Sequence, residues 1–107
     1  MRFTSYLQDS CLTVALTGEI DHHSAKQYID AIAGKIEAYK PRTCVLDFGE
    51  VSFMDSSGIA VIINGLRAMT QLGGSLHISG LNEQPRKVVH AAGVDKLVKI
   101  KEVYHEV

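Results

Sequence analysis

The stretch Val51–Ile59, VSFMDSSGI, decides how this chain folds. Just upstream, Cys44 to Phe48 is short and apolar, the make-up of a buried strand. Ile59 to Leu72 is a longer apolar stretch with helical spacing. Between them stand Asp55, Ser56, Ser57 and Gly58, four small residues in a row. Asp and Ser side chains accept hydrogen bonds from the unpaired amides of a helix's first turn. Gly lets backbone or a partner come close. The pattern therefore predicts two serine hydroxyls where a helix begins, at the end of a central strand. A helix start is also a natural seat for phosphate. A plain cap and a hydroxyl that carries chemistry are both open readings at this point.

Moving outward, the helix after the serines has an expected core stripe of Ile59, Ile62, Ile63, Leu66, Met69 and Leu72. Ala60, Val61, Asn64, Gly65 and Ala68 form a smooth flank of mostly small residues beside it, and Gly73-Gly74 ends the helix. Ser75 to Ser79 reads as a short strand. Gly80-Leu81-Asn82 is a loop, with Pro85 at the expected first helical position after a cap at Asn82 or Glu83. Val88, Val89 and Ala92 supply that helix's apolar side, and Leu97 to Ile100 reads as a last strand. Lys101 to Val107 is charged, a final helical turn or a loose tail.

Upstream, Arg2 to Leu7 and Cys11 to Leu16 both alternate with a strand period, and Gln8-Asp9-Ser10 joins them as a hairpin. Thr17 to Asp21 is expected to be a loop. His22 to Tyr39 places Ala25, Tyr28, Ile29, Ile32, Ile36 and Tyr39 at helical steps, with Asp21 or Ser24 as its cap. Lys40-Pro41 closes that helix. Thr43 to Phe48 is expected to be a central strand covered on both faces, followed by a turn at Gly49-Glu50. Strand–helix–strand units imply parallel pairing with right-handed crossovers. The fold class is thus α/β, with a small mixed β-sheet built from an opening hairpin plus parallel strands and flanked by α-helices.

The 107 residues suffice for one domain and are too few for two. A hydrophobic fraction of 46% with 21% charged residues is ordinary for a globular chain. The net charge of −1 offers no basic surface for direct nucleic-acid binding. No apolar run approaches the roughly 20 residues that cross a bilayer, so no membrane partner is expected. The opening MRFTSYLQDS lacks the apolar core of a signal peptide. Cys11 and Cys44 form no ligand cluster and read as two reduced thiols, so the expected setting is cytoplasmic.

Motifs for catalysis are missing. The hydrolase elbow needs Gly two residues before its serine, where Met54 stands before Ser56. No phosphate loop of the GxxxxGK[ST] type exists. His77, His90 and His105 lie at no recognised ligand spacing from His22 and His23, so no metal and no cofactor are expected. A triad of Ser56, a histidine and Asp47 would lack an oxyanion loop, so the chain is not expected to be an enzyme. Arg86 and Lys87 read as solvated charges. Capping does not account for the doubled serine, the neighbouring Asp and the smooth flank. Those suit a surface that a second protein approaches closely.

GEIDHHSA (Gly18 to Ala25) together with VSFMDSSGIAVI (Val51 to Ile62) resembles the anti-sigma factor antagonists of the STAS family. The sporulation antagonists that release the forespore sigma factor are the nearest type. The resemblance spans the hairpin, the Asp21-His22-His23 loop, the serine junction, the glycine pair and the third helix. It implies a single STAS domain that switches partners. The unphosphorylated form would bind an anti-sigma factor that is also an ATP-using serine kinase, freeing the sigma factor for transcription. Phosphorylation of Ser56, the serine directly after the Asp, would end that binding, and a serine phosphatase would reset it. Ser57 matches the second hydroxyl, not the usual acceptor. The expected partner surface is Asp21, His22, His23, Asp55, Ser56, Ser57, Gly58, Ala60, Val61 and Asn64. Ala60 departs from the second Gly common in the family, and the tail is short. A STAS module of a stress-response, transporter or sensor system would share the fold and meet other partners.

Overall fold

The structure, a computed structural model, describes residues 2–101. Its elements run β1 (Arg2–Gln8), β2 (Cys11–Ile20), α1 (Ala25–Tyr39), β3 (Thr43–Met54), α2 (Ser57–Gln71), β4 (Ser75–Ser79), α3 (Glu83–Ala91), a 3-10 turn (Val94–Lys96) and β5 (Lys99–Lys101). The five strands lie side by side in chain order, antiparallel between β1 and β2 and parallel from β2 onward. The α/β class and the mixed sheet with its opening hairpin are as expected. The helical turn or loose tail expected after Lys101 lies outside the described residues.

Burial alternates along the strands. Leu12, Val14 and Leu16 on β2, Cys44, Leu46 and Phe48 on β3, and Leu76 and Ile78 on β4 are all buried. Their register partners on the other face, Thr13, Val45 and His77, are only half-buried, and Lys99 is exposed. Right-handed crossovers that step the same way across a sheet put their helices on one face. The expectation that Thr43 to Phe48 is covered on both faces is therefore wrong: among the described residues helices roof one side of the sheet only. Burial on one face still shields Cys44, whose thiol is pushed up to about 12, chiefly by desolvation.

The hairpin turn is two residues long, with Gln8 facing Cys11. Asp9 and Ser10 both have positive φ, 52° and 63°, which matches the twist that two-residue hairpins need. The next two departures share one cause. Thr17 to Ile20 was expected to be a loop and Gly49-Glu50 a turn, yet both lie within strands. From Ala15↔Asp47 to Thr17↔Glu50, β2 advances two residues while β3 advances three. From Gly18↔Val51 to Glu19↔Phe53, β2 advances one and β3 two. These are β-bulges, and Gly18 absorbs the distortion at φ 103°. Phe48, Val51 and Met54 are consequently all buried at a spacing of three. That spacing imitates a break in a strand read by its period of two.

Tyr28, Ile32 and Ile36 bury the inner face of α1, and the Tyr28 hydroxyl donates to the Thr17 carbonyl at 2.7 Å. Tyr39, expected in the core, is about half exposed. The helix starts at Ala25 rather than His22. In α2 the fully enclosed residues are Val61, Ile62 and Met69, with Gly58 and Gly65 between them. Of the expected stripe, Ile62 and Met69 are buried, Ile59, Ile63 and Leu66 are only half-buried, and Leu72 is exposed. The buried face is thus rotated toward the small residues, which let α2 sit close to the sheet and to α1. A Cβ on Gly65 would reach Leu76 and Leu46 at ordinary contact distance, 3.7–3.8 Å. Pro85 is the third residue of α3 instead of the first, still inside the turn whose amides lack helical partners.

Two glycines test these packing arguments in opposite directions. Gly34 lies exposed within α1 with nothing near its missing Cβ. Gly34→Ala should stabilise the protein by roughly 0.5–1 kcal/mol through helix propensity. A Cβ on Gly74 would stand 2.6 Å from the Arg42 carbonyl oxygen. Gly74→Ala should cost about 1–3 kcal/mol through overpacking. Urea unfolding of the two variants beside the parent measures both.

Candidate functional site

The β3–α2 junction is built by its backbone first. Met54 is buried at the end of β3, and the Asp55 N–H donates to the Ile20 carbonyl of β2 at 3.1 Å. The Asp55 carboxylate then turns back and accepts the Ser57 N–H at 2.7 Å. Ser56 occupies the N-cap position at φ −61° and ψ −18°, yet its side chain makes no capping bond. Of the Asp and Ser side chains that the sequence offered as caps, Asp55 does the capping, and Ser57 is the first helical residue and receives that cap. Neither serine hydroxyl has a hydrogen-bond partner among the described residues, and Ser56 is exposed.

Gly58 is buried directly behind the serines. A Cβ there would stand 2.7 Å from Met54 Sδ and 3.1 Å from Met54 Cβ. It belongs to the site by letting the first turn of α2 close over β3, not by meeting a partner. Val61 is fully enclosed. Its place in the expected partner surface is corrected, because a side chain with no exposed area cannot be touched from outside. Ala68 of the flank, with Ala33 and Ile36 of α1, lines an open cavity of about 390 Å³ between the two helices. Of the flank residues expected to meet a partner, Ala60 and Asn64 remain at the surface, with Asn64 Nδ2 donating to the Ala60 carbonyl at 2.8 Å.

The β2–α1 turn lies beside the junction through the Ile20–Asp55 bond. Asp21 Oδ1 accepts the His23 and Ser24 amides at 2.9 and 3.0 Å, and Ser24 Oγ accepts the Asp21 N–H at 3.1 Å. These bonds spend three residues on a turn, which is why α1 starts late. The Ser24 amide, above all, holds the Asp21 carboxyl below its ordinary range. A depressed carboxyl contributes stability above its unfolded pKa of about 3.9 and loses it as pH falls through the folded value. His22 and His23 are left exposed with ring centroids 3.9 Å apart. Among the described residues no group of three or more His, Cys, Asp or Glu is placed to hold a metal ion. Asp47 accepts the Gly49 N–H at 2.8 Å and takes no part in the junction's bonds.

A third contributor escaped sequence reasoning. Gln84 of α3 accepts the Met54 N–H and donates to the Met54 carbonyl, both at 2.9 Å. Asn82 donates to the carbonyls of Gly49 and Val51 at 3.1 and 3.0 Å. Asn82 is the N-cap of α3 by position, as one reading expected, but its side chain serves β3. Nothing in local spacing points to these contacts, which join residues about thirty apart. Ser56, Ile59, Gln84, Lys87, Val88, Ala91 and Ala92 enclose an open apolar groove of about 460 Å³ between the start of α2 and α3. Lys87 on its rim pairs with Glu83 at 3.3 Å, an exposed bridge of little energetic weight.

With this geometry in hand, the relatives identify the class. The STAS domain matches residues 2–107, and the chain belongs to the STAS family. It is 32% identical over 93 residues to the anti-sigma F factor antagonist of Paenibacillus polymyxa, covering 83% of this chain and 76% of that one. It is 26% identical over 98 residues to the anti-sigma-B factor antagonist of Listeria monocytogenes, covering 89% and 82%. The fold superposes on the Bacillus cell fate determinant SpoIIAA in its phosphorylated form with a TM-score of 0.74 at 24% identity, over 97% of this chain and 93% of that one. Among the described residues no helix is long and apolar enough to cross a membrane.

The division of labour at the junction has a thermodynamic signature. Asp55→Ala removes a helix cap and should lower stability by about 1 kcal/mol. Ser56→Ala removes no capping bond and should stay within about 0.5 kcal/mol of the parent, as exposed substitutions do. Denaturant midpoints of the two variants decide between this assignment and one in which Ser56 is the cap.

Proposed function

We propose that this protein is an anti-sigma factor antagonist that works as a binding partner and not as an enzyme. In its unphosphorylated form it binds an anti-sigma factor that is also an ATP-using serine kinase, and the sigma factor is released. The kinase then phosphorylates Ser56, the complex dissociates, and a serine phosphatase restores the starting state. The cycle runs in the cytoplasm and needs neither a direct nucleic-acid contact nor a membrane. The observation that carries the reading is the exposed Ser56 hydroxyl, unbonded among the described residues, at a helix start that Asp55 already caps. The names of the matching relatives supply the class of partner.

Physical chemistry supports a switch at this hydroxyl. A phosphate adds about −1.5 to −2 charge at pH 7. The start of α2 tolerates negative charge, by about 0.3–1 kcal/mol in an exposed setting. The fold of this unmodified chain also resembles that of a phosphorylated relative. In an interface the same phosphate meets like charge and desolvation, which cost several kcal/mol. Each 1.4 kcal/mol is about tenfold in affinity, so the penalty suffices to separate the partners. The surface offered to the kinase comprises Asp21, His22 and His23, the Asp55-Ser56-Ser57 turn with Gly58 beneath it, and Ala60 and Asn64.

A second reading keeps the mechanism and changes the pathway. The match to the Listeria anti-sigma-B antagonist covers 89% of this chain, against 83% for the Paenibacillus anti-sigma F antagonist, so a stress-type partner is the alternative to a sporulation-type one. Binding to the anti-sigma kinase of each system separates the two.

Incubation with the cognate kinase and ATP, followed by mass-spectrometric site mapping, tests the proposal. Phosphate should be found on Ser56, and phosphate on Ser57 would sink the assignment. Ser56→Ala should fold, bind the kinase and take no phosphate. Ser56→Asp should weaken binding by roughly tenfold or more, with little change in melting temperature. Asn64→Tyr should impair complex formation, and an unchanged affinity removes α2 from the docking surface.

A further inference from the structure

β4 pairs with β3 only from Thr43↔Ser75 to Asp47↔Ser79. Beyond that point β3 runs on to Met54 with, among the described residues, a strand partner on one edge alone. Gly80, at φ 72°, turns the chain out of the sheet there. The side chains of Asn82 and Gln84 take the place of the missing strand. A primary amide carries the same donor and acceptor as a peptide group. Gln84 therefore pairs with Met54 as a neighbouring strand residue would, through one N–H and one carbonyl. Two bonds to one residue fix its rotation as well as its place.

The consequence falls on Ser56, two residues on. Asp55 is tied to β2 through Ile20, Ser57 to the Asp55 carboxylate, and Met54 to α3 through Gln84. The two residues before Ser56 are thus anchored to separate parts of the fold and the one after it to Asp55, while its own side chain is left for a visitor. Gln84 also lines the groove into which Ser56 opens. We infer that Gln84 is a positioning residue for phosphorylation of Ser56: by clamping Met54 it sets where the acceptor oxygen is presented. The inference rests on Ser56 being the acceptor. In the transfer, Ser56 Oγ gives its proton to a base on the kinase and forms a bond to the γ-phosphorus of ATP. The bond from that phosphorus to the β–γ bridging oxygen breaks, and ADP leaves. Attacking and leaving oxygens must lie in line, so a small displacement of the acceptor reduces the rate while the docked surfaces still fit.

The test is steady-state phosphorylation of Gln84→Met, which keeps the length of the side chain and loses its amide. We expect kcat to fall about tenfold or more, as misplacement of a reacting group does, with KM within about twofold. Gln84→Glu keeps an acceptor for the Met54 N–H but sets a carboxylate oxygen against the Met54 carbonyl, and should not restore kcat. Hydrogen exchange supplies a readout free of the kinase. The Met54 amide should be protected in the parent and exchange about tenfold or more faster in Gln84→Met, a loss of one local bond, with the Leu46 amide unchanged. Rapid exchange of the Met54 amide in the parent overturns the clamp with no variant needed. A parent phosphorylated on Ser56 beside a Gln84→Met variant of equal kcat overturns the positioning role alone. A parent that takes no phosphate on Ser56 overturns the acceptor reading and the positioning role together.

Discussion

Met54 gives its N–H to one end of the Gln84 amide and takes the other end on its carbonyl, both at 2.9 Å. Everything at the junction is arranged around the need for that pairing. A half-buried peptide group without a partner costs about 1–3 kcal/mol, and β3 extends well past the strand that would have supplied one. Water could satisfy a fully open edge, but here α3 covers it. The helix that covers the edge must therefore bring its own donors and acceptors. It does so through two side chains in its cap and first turn, Asn82 and Gln84. The same arrangement fixes the angle at which α3 meets the start of α2, and with it the groove beside Ser56.

Two of the residues that β3 carries past Asp47 come from its bulges. Without them β3 would be two residues shorter between Asp47 and Met54, and the residue level with Ile20 would be Ser52 instead of Met54. Each bulge adds a residue to β3 relative to β2 and tightens the local twist. The second half of β3 stays paired with β2 in the shifted register, which brings Asp55 against Ile20 and the Asp21 turn. Two segments more than thirty residues apart, DHH and DSSG, become neighbours through a single backbone bond at 3.1 Å. Their pairing is a product of strand irregularity, not of the regular fold.

This explains which parts of the molecule could be read from the chain. Regular elements announce themselves by period, so the hairpin, the three helices and the parallel strands were legible. The continuation of β3 through Val51 and Met54 was not, because past Phe48 the bulged strand buries every third residue and a period of two then reports a turn at Gly49-Glu50. Val61 and Gly65 were misread for a related reason. Small apolar residues on a helix suit an external partner and a close internal neighbour equally, and only the folded packing, with Leu76 and Leu46 of the sheet against Gly65, distinguishes them. The chemistry of the junction was legible at the level of residue type: Asp, Ser, Ser and Gly at a helix start. The assignment of roles among them was not, since all three polar side chains can cap. Asn82 and Gln84 gave no local sign, because their partners are main-chain groups far away in sequence.

That Asp55 caps α2 and Ser56 does not has a consequence for any modification of Ser56. Had the Ser56 hydroxyl held the first turn, adding a phosphate would have broken a bond worth about 1 kcal/mol, and the modified and unmodified chains would differ in stability. With the cap on Asp55, the new charge arrives on a group with no hydrogen bond among the described residues to lose. Repulsion from the Asp55 carboxylate opposes it and the dipole of α2 favours it. Both act at the surface, where water weakens them to about 1 kcal/mol or less. The fold is therefore nearly blind to the phosphate. A partner pressed against the same surface is not, because excluding water removes the screening that made the charge tolerable. Sensitivity is thus confined to the complex, as a switch between partners requires.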